Sequence, residues 1–149
     1  MAAEVLARRG RNYEFRIAGH VTGQVSSRPQ CGRLTFLGRV PRERIHEEFQ
    51  TADIFVLPSL AEGSAEVTYE ALAAGLPLVT TPASGSVARH GREAIIIPER
   101  DADALADAIE KLVEDRPMRN RLAGAARERA AEYTWERYGG RLIEALNKI

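Results

Sequence analysis

"PSLAEGSAEVTYEALAAGLPLV", residues 58–79, places Glu62, Glu66 and Glu70 around a Gly-Ser pair, between apolar runs on either side. Within it, Ser64 suits an N-cap and Ala65 to Ala74 are mostly good helix formers. Gly75 suits the left-handed position after a helix end, and Pro77 stops continuation. The spacing predicts a helix from about 65 to 74, entered through a loop that carries Glu62. On either side, "DIFVLP" (53–58) and "PLVTT" (77–81) read as short strands. The unit is strand, loop, helix, strand.

The pattern extends outward. "YEFRIAG" (13–19), "RLTFLG" (33–38) and "AIIIP" (94–98) complete five apolar runs. "IFVL" and "AIII" lack polar alternation, as do strands covered on both faces. Between the runs, Ile45, Phe49 and Ala52 fall at helical spacing in 41–52, with Pro41 suited to a helix start. Leu105, Ile109, Leu112 and Val113 form one stripe in 101–115. In 134–149, Thr134 is a candidate cap, and Trp135, Tyr138, Leu142 and Leu146 line up. Alternating strands and helices predict an α/β domain with a mainly parallel sheet.

Composition narrows the function. The 149 residues suit one domain, and 44% hydrophobic with 28% charged residues suits a packed core. Lys plus Arg and Asp plus Glu both number 21. That balance argues against a strongly basic nucleic-acid binder. Cys31 is the only cysteine, so no internal disulfide or CxxC metal site forms. No apolar run approaches the ~20 residues of a membrane span. The N-terminal stretch lacks a signal peptide's apolar segment. The expected compartment is the cytoplasm. No G-x-G-x-x-G follows a strand, so a plain dinucleotide-binding domain lacks support. His20, His46 and His90 read as surface residues.

The carboxylates sit where ligands bind in parallel α/β sheets, outside the strands' carboxyl ends. Free N–H groups in a first helical turn favour anionic or hydroxyl-bearing ligands. Glu62 is either a surface loop acid or an acceptor for substrate hydroxyls. Glu66, in the first turn, favours the helix dipole. Glu66 and Glu70 share a face at i, i+4. They are either an acid/base pair, as in glycoside hydrolysis, or two solvated acids. Spacing does not separate these.

The run "FVLPSLAEGSAEVTYEALAAGLPLVTTPASGSV" resembles the C-terminal, donor-binding half of retaining GT-B glycosyltransferases of family 4, the group 1 glycosyl transferases. That family carries P-S, then E-G-F-G, then E-A-M/L-A-x-G-x-P-V. The likeness continues through "FLGRVPRERIHEEFQTADIFVLPS" before it and "ARHGREAIIIPERDADALADAIEKLVEDRPMRNRLAGAARERAAEYTWERY" after it. The resemblance implies a Rossmann-like parallel sheet flanked by helices, one half of a GT-B fold. It implies one donor-binding domain over residues 1–149 of a hexosyl transferase that retains anomeric configuration.

The roles it implies are specific. Glu62 would bond donor-sugar hydroxyls, and Glu70 the ribose hydroxyls. Backbone N–H groups of Ser64, Ala65, Glu66 and Val67, next to Gly63, would face the sugar and diphosphate. Arg39, Val40 and Arg42 would lie near the base, and Gly19 and His20 would line the same cleft. No catalytic base is among them. The donor is a nucleotide sugar, and the sequence calls for no metal or other cofactor.

Ser64-Ala65 stands where the family has Phe-Gly, Ser86 where many members have Glu, and His90 where Asp is common. The family's first strand, its basic diphosphate loop and the acceptor-binding N-terminal domain have no counterpart in the sequence. Two functions follow: part of a glycosyltransferase, or a sugar-nucleotide-binding module without turnover. A GT-B epimerase or phosphorylase fits less well, since neither the motif run of the one nor the cofactor lysine of the other matches. The absent strand would leave 13–19 and 53–58 with free edges. They would close on each other, take up a second copy, or leave the domain poorly stable; the expectation is self-association as a homo-oligomer.

Overall fold

The computed structural model describes residues 1–148. Its elements, in order, are α1 (Ala2–Arg8), β1 (Phe15–Ala18), α2 (Gly23–Ser26), β2 (Leu34–Gly38), α3 (Ile45–Thr51), β3 (Phe55–Leu57), α4 (Glu66–Ala74), β4 (Leu78–Thr80), β5 (Ala94–Ile96), α5 (Ala102–Glu114), α6 (Arg116–Ala130) and α7 (Trp135–Leu146). All five expected strands are present, and every strand pairing is parallel.

The apolar runs work as doubly covered strands. Successive side chains of a strand point to opposite faces. Val56, Val79 and Ile95 join Val5 and Leu6 of α1 and Ile109 and Leu112 of α5 in one core. Their neighbours Phe55, Leu78, Ala94 and Ile96 join Phe49 of α3, Leu72 of α4 and Ala126 of α6 in the other. Strand β4 is buried throughout. That is why these strands carry no polar alternation. Each fully buried leucine, such as Leu72, Leu78, Leu112 or Leu122, contributes about 1.5–3 kcal/mol against exposure.

The strands form two sheets, β1-β2 and β3-β4-β5. Phe15 of β1 and Val56 of β3 reach the same core, yet the two strands do not pair. The closure of 13–19 onto 53–58, one of the three expected outcomes, is therefore not what the structure shows. Each strand keeps a free edge.

Two helix starts and one whole helix differ from the sequence expectation. Helix α3 begins at Ile45, not at Pro41, because residues 42–44 form a turn in which Arg44 and Ile45 donate to the Pro41 carbonyl. Helix α4 is capped at Ala65 and not at Ser64. The Ser64 hydroxyl is turned instead to the Tyr69 hydroxyl, 3.0 Å away. Helix α6 escaped the reading altogether, although Asp115 caps it by accepting from Met118 N–H at 2.8 Å and a proline follows in its first turn. Gly75 does close α4 in the left-handed conformation, φ 77°. Thr134 does cap α7, accepting from Arg137 N–H at 3.3 Å. The α7 stripe stays exposed, with Trp135 at 77%.

Candidate functional site

Every strand delivers its carboxyl end into a loop, and four of these loops carry the expected site residues or their supports. The loop from β3 into α4 is held by the turn after β4. Glu62 N–H donates to the Ala83 carbonyl at 2.9 Å and Ala65 N–H to that of Ser84 at 3.1 Å. Beneath them, the Thr81 hydroxyl donates to Ser59 C=O at 2.5 Å. Thr80 donates to Leu57 C=O at 2.8 Å, and Ser84 to Thr81 C=O at 2.8 Å. These threonine and serine hydroxyls tie the ends of β3 and β4 to each other and brace the turn after β4.

Gly85 makes this approach feasible. A Cβ there would lie 2.3 Å from the Gly63 carbonyl oxygen, and its φ of +61° is one that side-chain-bearing residues rarely adopt. Only glycine lets the two loops touch. Gly85, Ser84 and Tyr69 are parts of the site that no sequence motif marks. The first two act through contacts between loops about 20 residues apart, which no local spacing encodes.

The structure brings Arg39, Val40 and Arg42 together with Glu70. With Pro41 and Ile45 they line one cavity of about 540 Å³. Glu66 joins this group through Arg42, whose Nη2 stands 3.5 Å from its carboxylate. Both side chains are mostly exposed, so the pair is loose and adds little stability. The Arg42 guanidinium is free to turn to an anionic ligand. Glu66 fills the first-turn position that suits an acid.

Val67 is half-buried and Ala65 buried, while Glu62, Gly63 and Ser64 are exposed on the loop. Glu62 stands outside the cavity; the Ser59 hydroxyl lies 3.5 Å from its carboxylate. Gly19 follows β1 and donates its N–H to the Gly38 carbonyl at 2.8 Å. That fixes it next to Arg39 in space, but neither it nor His20 lines the cavity. His20, His46 and His90 are exposed as expected. His90 also serves the fold, since its Nδ1 accepts from Ile96 N–H at 3.0 Å. Among the described residues, no three His, Cys, Asp or Glu side chains gather as a metal cluster would require.

Two arginines and a glutamate thus line one cleft, and the first turn of α4 adjoins it through the contact of Arg42 with Glu66. Such a cleft offers cations and N–H donors to phosphate and an acceptor to hydroxyls. The family model of glycosyl transferases group 1 matches residues 1–129. The chain belongs to this family.

Among relatives of this glycosyltransferase domain is the D-inositol 3-phosphate glycosyltransferase of Corynebacterium urealyticum, 30% identical over 89% of the chain and 34% of the relative. Another is the alpha-D-kanosaminyltransferase of Streptomyces kanamyceticus, 31% identical over 99% of the chain and 41% of the relative. The domain therefore spans about a third to two fifths of the length of these relatives. In structure it is similar to Anabaena HepE, solved in complex with UDP and glucose, with a TM-score of 0.83, 20% identity, and coverage of 99% of the domain and 44% of HepE. The sucrose-phosphate synthase of Thermosynechococcus elongatus gives a TM-score of 0.81 at 23% identity, over 99% of the domain and 42% of that chain. The glycosyltransferase domain is thus one Rossmann-like half of a GT-B fold. No described helix is long and apolar enough to cross a membrane.

Proposed function

We propose that this domain binds the nucleotide-sugar donor of a hexosyl transferase that retains anomeric configuration. The observation that carries the reading is the cavity in which Arg39, Val40 and Arg42 meet Glu70, beside the start of α4. Glu70 accepts hydrogen bonds from the ribose hydroxyls. Val40 and the arginine stems flank the base. The N–H groups of Glu66 and Val67, which have no intrahelical partner in a first turn, take the diphosphate with Arg42. Gly63, Ser64 and Ala65 shape the loop over the sugar, and Glu62 accepts from its hydroxyls. Gly19 and His20 close the far side. The donor needs no metal or other cofactor in this reading.

The partners are the donor and an acceptor-binding domain that forms the facing wall of the cleft. The charged diphosphate confines the donor to the aqueous compartment where it is made, which puts the domain in the cytoplasm. The free edges of β1 and β3 make a second copy a further partner, since such edges pair readily. Sedimentation at micromolar concentration decides that point: association supports it, and a monodisperse monomer removes it.

Titration of the purified chain with a panel of UDP-, GDP- and dTDP-sugars by calorimetry tests the donor reading. Weak binding of at least one is expected, and no heat with any of them overturns it. No transfer to any acceptor is expected from the chain alone. Positioning of both substrates supplies about 7–11 kcal/mol of such barriers, and one wall of the cleft positions only the donor. Robust transfer by the purified chain contradicts this; slow donor hydrolysis does not.

A further inference from the structure

We infer that Tyr69 is a positioning residue that fixes the shape of the 62–65 loop, an inference that rests on the donor-site reading above. Glu62 and Ala65 are each pinned through the backbone to the turn after β4. Between them, Gly63 has no side chain and Ser64 is exposed. The hydroxyl pair Ser64–Tyr69, at 3.0 Å, is the anchor of this middle portion, supplemented by a long contact from the Ser64 hydroxyl to the Gly85 carbonyl at 3.5 Å.

The Tyr69 ring is itself held. It meets Tyr133 edge-on, with ring centroids 5.6 Å apart. Arg129 and Arg141 lie over the Tyr133 ring at 4.9 and 5.6 Å. Arg129 Nε donates to the Val87 carbonyl at 3.1 Å. Val87 follows the turn whose Ala83 and Ser84 carbonyls hold the loop. The contacts therefore form a closed circuit: loop, Tyr69, Tyr133, Arg129, Val87, turn, loop. Tyr69 touches no part of the proposed donor directly. It acts by holding Ser64, and with it the Gly63–Ala65 backbone, in one geometry before the donor arrives. Such pre-organisation raises affinity by removing an ordering cost at the moment of binding.

The test is a double-mutant cycle on the whole chain, read by donor affinity with the best-binding nucleotide sugar. Tyr69→Phe keeps the ring on Tyr133 and deletes the hydroxyl. It is expected to weaken binding about threefold to tenfold, the size of one hydrogen bond, with the thermal midpoint unchanged. Ser64→Ala is expected to do the same. In the Ser64→Ala background, Tyr69→Phe is expected to change nothing more, because coupled partners are not additive. Wild-type affinity in Tyr69→Phe, or two effects that add, overturns the inference. Should the wild-type chain bind no nucleotide sugar, the donor-site reading fails by itself. Amide exchange of Gly63–Ala65 in the free chain then judges Tyr69: faster exchange in Tyr69→Phe upholds the positioning role, and unchanged exchange refutes it.

Discussion

Replacing Arg89 with alanine is expected to destabilise the domain strongly. Glu93 is 1% exposed, in the bend that leads into β5. Arg89 meets it with its backbone N–H at 2.8 Å, its Nε at 3.2 Å and its Nη2. Burial pushes the Glu93 carboxyl up, but the Arg89 side-chain and backbone bonds outweigh it and hold the group below the usual glutamate range. Without the guanidinium, a buried carboxylate keeps a single backbone donor. Removing one partner of a buried pair costs about 3–5 kcal/mol. The remaining N–H bond puts Glu93 toward the lower end. Urea unfolding at neutral pH checks this, and a loss under about 1 kcal/mol contradicts the buried-pair argument.

The pH dependence has a definite sign. A carboxylate whose folded-state pKa is depressed adds stability above its unfolded value and loses it as pH falls through the folded one. The wild-type chain is therefore expected to lose the Glu93 contribution only on acidification below the ordinary glutamate range. In Arg89→Ala, only the backbone N–H bond and the Arg129 charge still oppose burial, so the group moves up from its wild-type position. The gap between variant and wild type then narrows as pH falls. A gap that widens in acid would contradict the assignment.

The second large effect concerns binding. Glu70→Ala is expected to weaken every nucleoside diphosphate and every nucleotide sugar alike. Each lost bond to the charged acceptor is worth about 1.5–3 kcal/mol, roughly tenfold to a hundredfold in Kd. Glu62→Ala is expected to matter only when a sugar is attached, because Glu62 stands on the loop outside the cavity that holds Glu70. Calorimetry with the diphosphate and its sugar ester separates the two. Equal losses for both ligands in Glu62→Ala would show that the division of labour is wrong.

The strands were legible because burial on both faces removes polar alternation, as in "IFVL" and "AIII". The end of α4 was legible because Gly75 answers a local backbone demand. The start was not, since serine's preference for N-caps does not reveal a tyrosine hydroxyl one turn later that competes for it. Helix α6 hid in an arginine-rich stretch of low apolar content, though Asp115 and Pro117 mark its start. At the site, the glutamates and arginines were visible as residue types in an ordered run. The contacts that hold them were not. Gly85 against Gly63 and Tyr69 against Tyr133 depend on how the chain folds back on itself; Arg89 and Glu93 are only four residues apart, and what stayed hidden there is the burial of Glu93. The exposed stripe of α7 belongs here too: helical spacing shows that a face exists, not whether anything covers it.

The most direct test of the central claim is where a nucleotide sugar perturbs the backbone amide spectrum of the isolated chain. Shifts are expected in three clusters: residues 39–42, residues 62–70, and the supporting turn at 82–85. The 39–42 cluster and Glu70 are expected to shift with the nucleoside diphosphate alone, and residues 62–65 more strongly once the sugar is attached. Shifts confined to other surfaces, or none at all with the full panel of donors, would contradict the donor-site assignment.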